Sequence, residues 1–118
     1  MDYTIDHDPI GRAHLVTASG ELDLSAAPQL STVLAIGVAG AQRAVVLDLT
    51  DVGFIDSTVL GVILRASEQL NAVGKPLLVV VQEGPVERLL ALTNLTQHFA
   101  VYPTREEAVA AADAVTAT

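Results

Sequence analysis

Two short apolar runs joined by a helical pattern constrain the fold of this chain more than any other feature. Residues 44–49 and 77–81 are dominated by valine and leucine, as is typical of strands covered on both faces. Residues 57–73 lie between them and carry apolar side chains at helical spacing: Val59, Ile63, Ala66, Leu70 and Val73. Because parallel strands need a long crossover connection, this succession predicts a parallel βαβ unit.

The segments before this unit predict an antiparallel hairpin and a further helix. Strands are expected over residues 3–7 and 12–19, with the tight turn DPIG at residues 8–11 between them. The following helix is predicted to begin at Ser25, a favourable N-cap residue, and to end at Gly40. The hairpin makes the predicted sheet mixed rather than purely parallel.

The segments after the unit continue the alternation of helices and strands. A shorter helix is predicted to start at Pro85, and a strand follows at residues 99–102. The last helix begins with a capping box formed by Thr104 and Glu107. The element order is therefore ββαβαβαβα, which predicts an α/β fold with about four helices.

The composition is that of one well-filled aliphatic core. The chain has 118 residues, of which 51% are hydrophobic and only 3% aromatic. A chain of this length has room for one core, so residues 1–118 are expected to form a single domain.

The charge of the chain argues against two classes of partner. Its net charge is −8, and its six basic residues are scattered along the sequence. Nucleic acids and anionic membrane surfaces both attract clustered lysine and arginine, so direct binding to either is not expected. The start of the chain carries acids where a signal peptide needs bases and an apolar run. A cytoplasmic protein is expected.

The sequence offers few groups for catalysis or for cofactor binding. It contains no cysteine, and its histidines are His7, His14 and His98, none of which lies where a serine would find an obvious base. The G-x-S-x-G elbow and a glycine-rich loop after a strand are both missing. We therefore expect no enzyme activity, no cofactor and no metal site.

The stretch FIDSTVLG at residues 54–61 is the strongest candidate site. It follows the first apolar strand, and α/β sheets place functional groups at the carboxyl ends of their strands. Asp56 and Ser57 are both good N-cap residues, and such a cap contributes about 1 kcal/mol. Capping by one of the two explains the pair without any further function.

Capping does not explain Gly61, which lies one turn after Ser57 on the same side of the predicted helix. A helical glycine costs about 1 kcal/mol relative to alanine. The missing side chain lets another backbone approach, either from the interior of the protein or from a partner. Arg65, one turn further on, favours an exposed, partner-facing side.

Together, GELD at residues 20–23 and VVLDLTDVGFIDSTVLGVIL at residues 45–64 resemble a STAS domain of the anti-sigma factor antagonist family. The resemblance extends over essentially the whole chain. It implies a STAS-like single domain with the mixed sheet described above.

The resemblance also implies a function. Unphosphorylated members bind an anti-sigma factor that is a serine kinase of the GHKL type, and the sigma factor is released. The kinase phosphorylates the serine after the aspartate, which is Ser57 here with Thr58 as competing acceptor, and a PP2C-type phosphatase reverses this. Asp23 and Asp56 match acidic residues of the family's site. The implied partner-binding residues are Asp23, Asp56, Ser57, Thr58, Gly61 and Arg65.

One residue departs from the family pattern, and two other functions remain open. Val59 stands where family members usually have glycine. The β-branched valine restricts the backbone near Ser57.

The chain is alternatively a constitutive STAS interaction or scaffold module without phosphorylation. The third possibility is a small-ligand-binding STAS domain with its pocket near Asp23, Asp56 and Ser57.

Overall fold

The computed structural model describes residues 2–40 and 43–115, apart from the side chain of Thr96. Its five strands are β1 (Tyr3–Ile10), β2 (Ala13–Leu22), β3 (Ala44–Ile55), β4 (Leu77–Val80) and β5 (Ala100–Tyr102). Its helices are α1 (Ala27–Gly40), α2 (Ser57–Asn71), α3 (Pro85–Leu92) and α4 (Arg105–Asp113), with short 3-10 helices at Leu24–Ala26 and Leu95–Gln97. The predicted order of strands and helices is confirmed.

The strands form one mixed sheet in the order β1-β2-β3-β4-β5. β1 pairs with β2 antiparallel, and every other neighbouring pair is parallel. Because side chains alternate between the two faces of a strand, the sheet has an apolar surface on each side. The larger core packs α1, α2 and α3 on one face, and the smaller core packs α4 on the other.

The hairpin turn lies two residues later than the sequence suggested. Ile10 pairs with Ala13, so only Gly11 and Arg12 form the loop. Gly11 has a φ of +59°, a left-handed conformation that glycine adopts without steric cost. Pro9 is therefore a strand residue, which β1 tolerates because it lies at the edge of the sheet.

β3 runs six residues past the predicted end at residue 49. The buried part of β3 lies between two strands, whereas residues 51–55 pair with β2 alone. Several side chains of this extension are exposed, including Asp51 and Phe54. Residues 51–55 include an aspartate and a glycine, so the sequence did not indicate a strand there. A continuous apolar run is expected only where a strand lies between two neighbouring strands and is covered on both faces.

Two smaller predictions about the helices were wrong. The N-cap before α1 is Asp23 rather than Ser25, and it caps the 3-10 helix Leu24–Ala26 that precedes α1. Val73 is 59% exposed and lies beyond the end of α2, so it does not belong to the buried stripe. The predicted cap at Thr104 is confirmed, because its hydroxyl accepts a hydrogen bond from the Glu107 amide.

An ion pair joins α4 to the middle of the sheet. The Arg105 guanidinium donates from Nε to Asp48 Oδ2 at 2.8 Å. Asp48 is 5% exposed, and burial alone raises the pKa of its carboxyl group. Hydrogen bonds from the Thr50 hydroxyl, the Thr50 amide and Arg105 outweigh this effect, so the pKa of Asp48 lies below its ordinary value.

Candidate functional site

The carboxyl ends of β2 and β3 bring the two acidic motifs of the sequence together. Leu22 pairs with Ile55, and the backbone amide of Asp56 donates to the Leu22 carbonyl at 2.9 Å. Asp23 and Asp56 each follow directly after these paired residues. GELD and FIDS therefore meet at the carboxyl ends of two parallel strands.

Asp56 is the N-cap of α2. Its carboxylate accepts a hydrogen bond from the backbone amide of Thr58 at 2.7 Å, and α2 begins at Ser57. The Ser57 side chain is exposed and forms no hydrogen bond within the described part of the chain. Of the two residues that the sequence offered as caps, Asp56 fills the role and leaves the Ser57 hydroxyl available.

Asp23 has a local structural role of its own. Its carboxylate accepts hydrogen bonds from the backbone amide and the hydroxyl of Ser25, and so it caps the 3-10 helix. The hydrogen bond from the Ser25 hydroxyl is the main reason that the pKa of Asp23 lies below its ordinary value. Asp23 therefore carries a full negative charge at neutral pH, on the same edge as Ser57.

The exposed side of α2 carries the other four predicted site residues. Ser57, Thr58, Gly61 and Arg65 are all exposed. A Cβ atom built on Gly61 meets nothing within 4 Å. The alternative that Gly61 packs against the interior is therefore wrong, and its missing side chain leaves open space above α2.

Val59 points away from this surface. Its side chain is 0% exposed and belongs to the large core. The β-branched residue in the first turn of α2 is thus accommodated inside the protein. The outer surface of that turn is left to Ser57 and Thr58.

Sequence reasoning missed two exposed apolar side chains near this edge. Leu24 is 63% exposed and follows Asp23, and Phe54 is 44% exposed and lies two residues before Asp56. Ile55 is buried at 3% exposure. Because neighbouring residues of a strand point to opposite sides, a buried Ile55 turns Phe54 outwards. The alternation is visible in the sequence only once residues 51–55 are known to be a strand.

Membrane-spanning helices and metal-binding clusters are both absent from the described residues. No helix within residues 2–40 and 43–115 is long and apolar enough to cross a membrane. In the same ranges, no group of three or more histidine, aspartate or glutamate side chains could hold a metal ion.

Comparison with known proteins places these features in a family context. The sequence model of the STAS domain matches residues 5–108. The anti-sigma-B factor antagonist of Staphylococcus aureus (strain NCTC 8325 / PS 47) is 28% identical over 95 residues, which are 80% of this chain and 88% of that protein.

Solved structures agree with the observed fold. The crystal structure of an anti-sigma factor antagonist from Mycobacterium paratuberculosis has a TM-score of 0.86 at 29% identity, with 95% of each chain covered. The anti-sigma factor antagonist SpoIIAA in its unphosphorylated form has a TM-score of 0.75 at 19% identity, covering 95% of this chain and 100% of that chain. The second likeness is one of fold alone.

Proposed function

The chain belongs to the STAS domain family, and on that premise we propose that it is an anti-sigma factor antagonist switched by phosphorylation of Ser57. The unphosphorylated form binds a GHKL-type anti-sigma factor serine kinase in the cytoplasm, and the sigma factor is released. The kinase transfers a phosphoryl group from ATP to Ser57, and a PP2C-type phosphatase removes it. The chain acts by binding proteins, without catalysis of its own and without contact to nucleic acid.

The observation that carries this proposal is the free hydroxyl of Ser57. It lies at the first position of α2, exposed, while Asp56 supplies the cap. A kinase can therefore modify Ser57 without removing a hydrogen bond on which the helix depends. Thr58 is exposed in the same turn and is the competing acceptor.

The helix start also tolerates the product of the reaction. The first amides of a helix point outwards, and the helix dipole places partial positive charge there. A phosphate on Ser57 lies at this end, where anions are commonly bound. The domain is thus expected to stay folded after phosphorylation.

The same phosphate changes what a partner meets. It adds about −1.5 to −2 charges at neutral pH, on an edge that already carries Asp23 and Asp56. After the transfer the kinase holds ADP, so the phosphate on Ser57 faces the remaining phosphates of the nucleotide, which carry charge of the same sign. One such unit-charge contact at ~4 Å costs about 4 kcal/mol at an effective dielectric constant near 20. That energy corresponds to a nearly thousandfold loss of affinity.

The proposal is tested by capture of partners from the native host. Wild type is compared with Ser57→Asp, and Ala110→Asp serves as the charge-matched control because Ala110 is exposed on α4, on the opposite face of the sheet. Wild type and Ala110→Asp are expected to retain an anti-sigma factor that Ser57→Asp loses. Incubation of the purified pair with ATP is expected to add one phosphate by intact mass.

Two results decide between this proposal and its alternatives. Equal retention by wild type and Ser57→Asp, with no phosphate gained, would leave a constitutive STAS interaction module. A thermal shift on addition of nucleotides or lipids, abolished by substitution of Asp23, would instead favour a small-ligand-binding domain.

A further inference from the structure

An apolar groove lies beside the candidate phosphorylation site. It has a volume of about 260 Å³ and is lined by Gly53, Phe54, Ile55, Pro85, Val86 and Leu89. One wall is the end of β3 and the other is the first two turns of α3. The β3 wall runs directly into Asp56 and Ser57, so the groove and the exposed start of α2 form one continuous surface.

The groove combines buried and solvent-exposed apolar residues. Ile55 and Val86 form the floor, at 3% and 5% exposure. Phe54 is 44% exposed, and Pro85 is exposed at the start of α3. A half-exposed aromatic residue beside an apolar floor is a site where burial by a partner removes apolar surface from water.

The segments around the groove are acidic. The Glu21 carboxylate lies 3.7 Å from the position that a Cβ atom on Gly53 would occupy. Two more acids, Glu83 and Glu87, lie just before α3 and in its first turn, and Arg88 is the one base on α3. The groove is therefore apolar inside and negatively charged around its rim.

We propose that this groove is the second half of the partner-binding surface and receives an apolar side chain from a positively charged segment of the anti-sigma factor. The inference rests on the proposed function, since it names the contact by which the same partner is held. The apolar floor selects the inserted side chain, and the acidic rim selects lysine or arginine beside it. Ser57 switches binding at one end of the surface, while the groove supplies affinity at the other.

Two groove variants and one matched control test the apolar contact. Phe54→Thr keeps a good strand residue and removes the exposed ring. Leu89→Gln keeps a good helix former and removes the side chain on the α3 wall. Leu92→Ser is the control, because Leu92 is 82% exposed on the same helix and lies outside the groove lining.

Binding is measured with the purified anti-sigma factor that wild type captures from the host, with melting temperatures recorded for each variant. Phe54→Thr and Leu89→Gln are expected to bind at least tenfold more weakly, and Leu92→Ser within twofold of wild type. Leu89 packs partly against the core, so Leu89→Gln can fail to fold. In that case the affinity of Phe54→Thr alone tests whether the groove contributes to binding.

Charge is tested by a second pair of variants. Glu87 and Glu106 both lie in the first turn of a helix, on α3 and α4 respectively. Glu87→Lys is expected to weaken binding severalfold at low salt and less at high salt, because surface charges are screened. Glu106→Lys, on the opposite face of the sheet, is expected to leave the affinity unchanged.

The outcomes separate the groove from the switch. If wild type binds the anti-sigma factor and Phe54→Thr binds it within twofold of wild type, the groove proposal is overturned while the proposed function stands. Equal weakening by Leu92→Ser would also overturn it. Dimers of the chain alone that Phe54→Thr dissociates would make a second copy the occupant and overturn it as well. If wild type binds no anti-sigma factor, both proposals fail together.

Discussion

The carboxylate of Asp56 accepts a hydrogen bond from the backbone amide of Thr58 at 2.7 Å, and the neighbouring Ser57 hydroxyl takes no part in capping α2. This arrangement assigns the structural role and the proposed regulatory role to adjacent residues. Substitution can therefore separate helix stability from phosphate incorporation.

Ser57→Ala and Asp56→Ala are expected to affect different properties, phosphate incorporation and helix stability respectively. Ser57→Ala should keep the melting temperature and partner binding and lose phosphate incorporation. Asp56→Ala should lower the free energy of unfolding by about 1 kcal/mol, because it removes the N-cap. Urea unfolding followed by circular dichroism and phosphopeptide mapping give the two readouts. Persistent labelling of Ser57→Ala at Thr58 would contradict the assignment of the acceptor.

Gly61→Leu is expected to stabilise the free protein and to weaken partner binding. Leucine is the better helix former by somewhat less than 1 kcal/mol, and the space above Gly61 is open to a new side chain. In a complex, the same side chain would occupy the space where we propose that a partner approaches. Thermal unfolding and titration calorimetry test the two effects. Gly61→Ala is the milder control, and unchanged affinity of Gly61→Leu would exclude a docking role.

Phosphorylation of Ser57 is expected to act locally. The phosphate lies at the start of α2, where free amides accommodate it without rearrangement of the sheet. Backbone NMR shifts should change at residues 55–62 and around residues 20–23, and stay near those of the unmodified protein elsewhere. Ser57→Asp should reproduce part of the at least tenfold loss of kinase binding, because one carboxylate carries less charge than a phosphate. Widespread shift changes across β3 and β4 would argue for refolding instead.

The histidine pair of the hairpin predicts a pH dependence of stability. Nδ1 of His7 lies 3.0 Å from Nε2 of His14, and the His14 ring packs against Gly37 of α1. Burial, with the neighbouring His7, lowers the pKa of His14 below its ordinary value of 6.5, although Asp8 opposes the shift. The unfolded chain then binds more protons than the native protein in the window below pH 6.5, so stability is complete above that pH and falls as the pH drops.

This pH effect is measured by urea unfolding at pH 7.5, 6.0 and 5.0. His14→Gln is expected to flatten the dependence between pH 6.5 and 5, since it removes the buried ring that resists protonation. His98→Gln is the matched control, because His98 is exposed and lies outside the pair. An unaltered dependence in His14→Gln would show that other groups cause it.

What the sequence determined by itself was the order of the elements and the position of Asp56 and Ser57 at the carboxyl end of a strand. Asp23 lies beside them because β2 runs parallel to β3, a pairing that the structure supplies. Apolar periodicity distinguishes strands from helices locally, and parallel pairing through a crossover helix leaves little freedom in where the strand ends lie. The long β3 escaped prediction, because only its first half lies between two neighbouring strands.

Exposure was decided by the tertiary structure alone. Nothing in the local sequence distinguishes the open space above Gly61 from a packed interface, and nothing there shows that Phe54 lies beside α3. Each of these contacts depends on which distant element lies against the residue. Spacing along one helix or strand determines the direction of a side chain. Elements that are distant in the sequence determine what that side chain contacts.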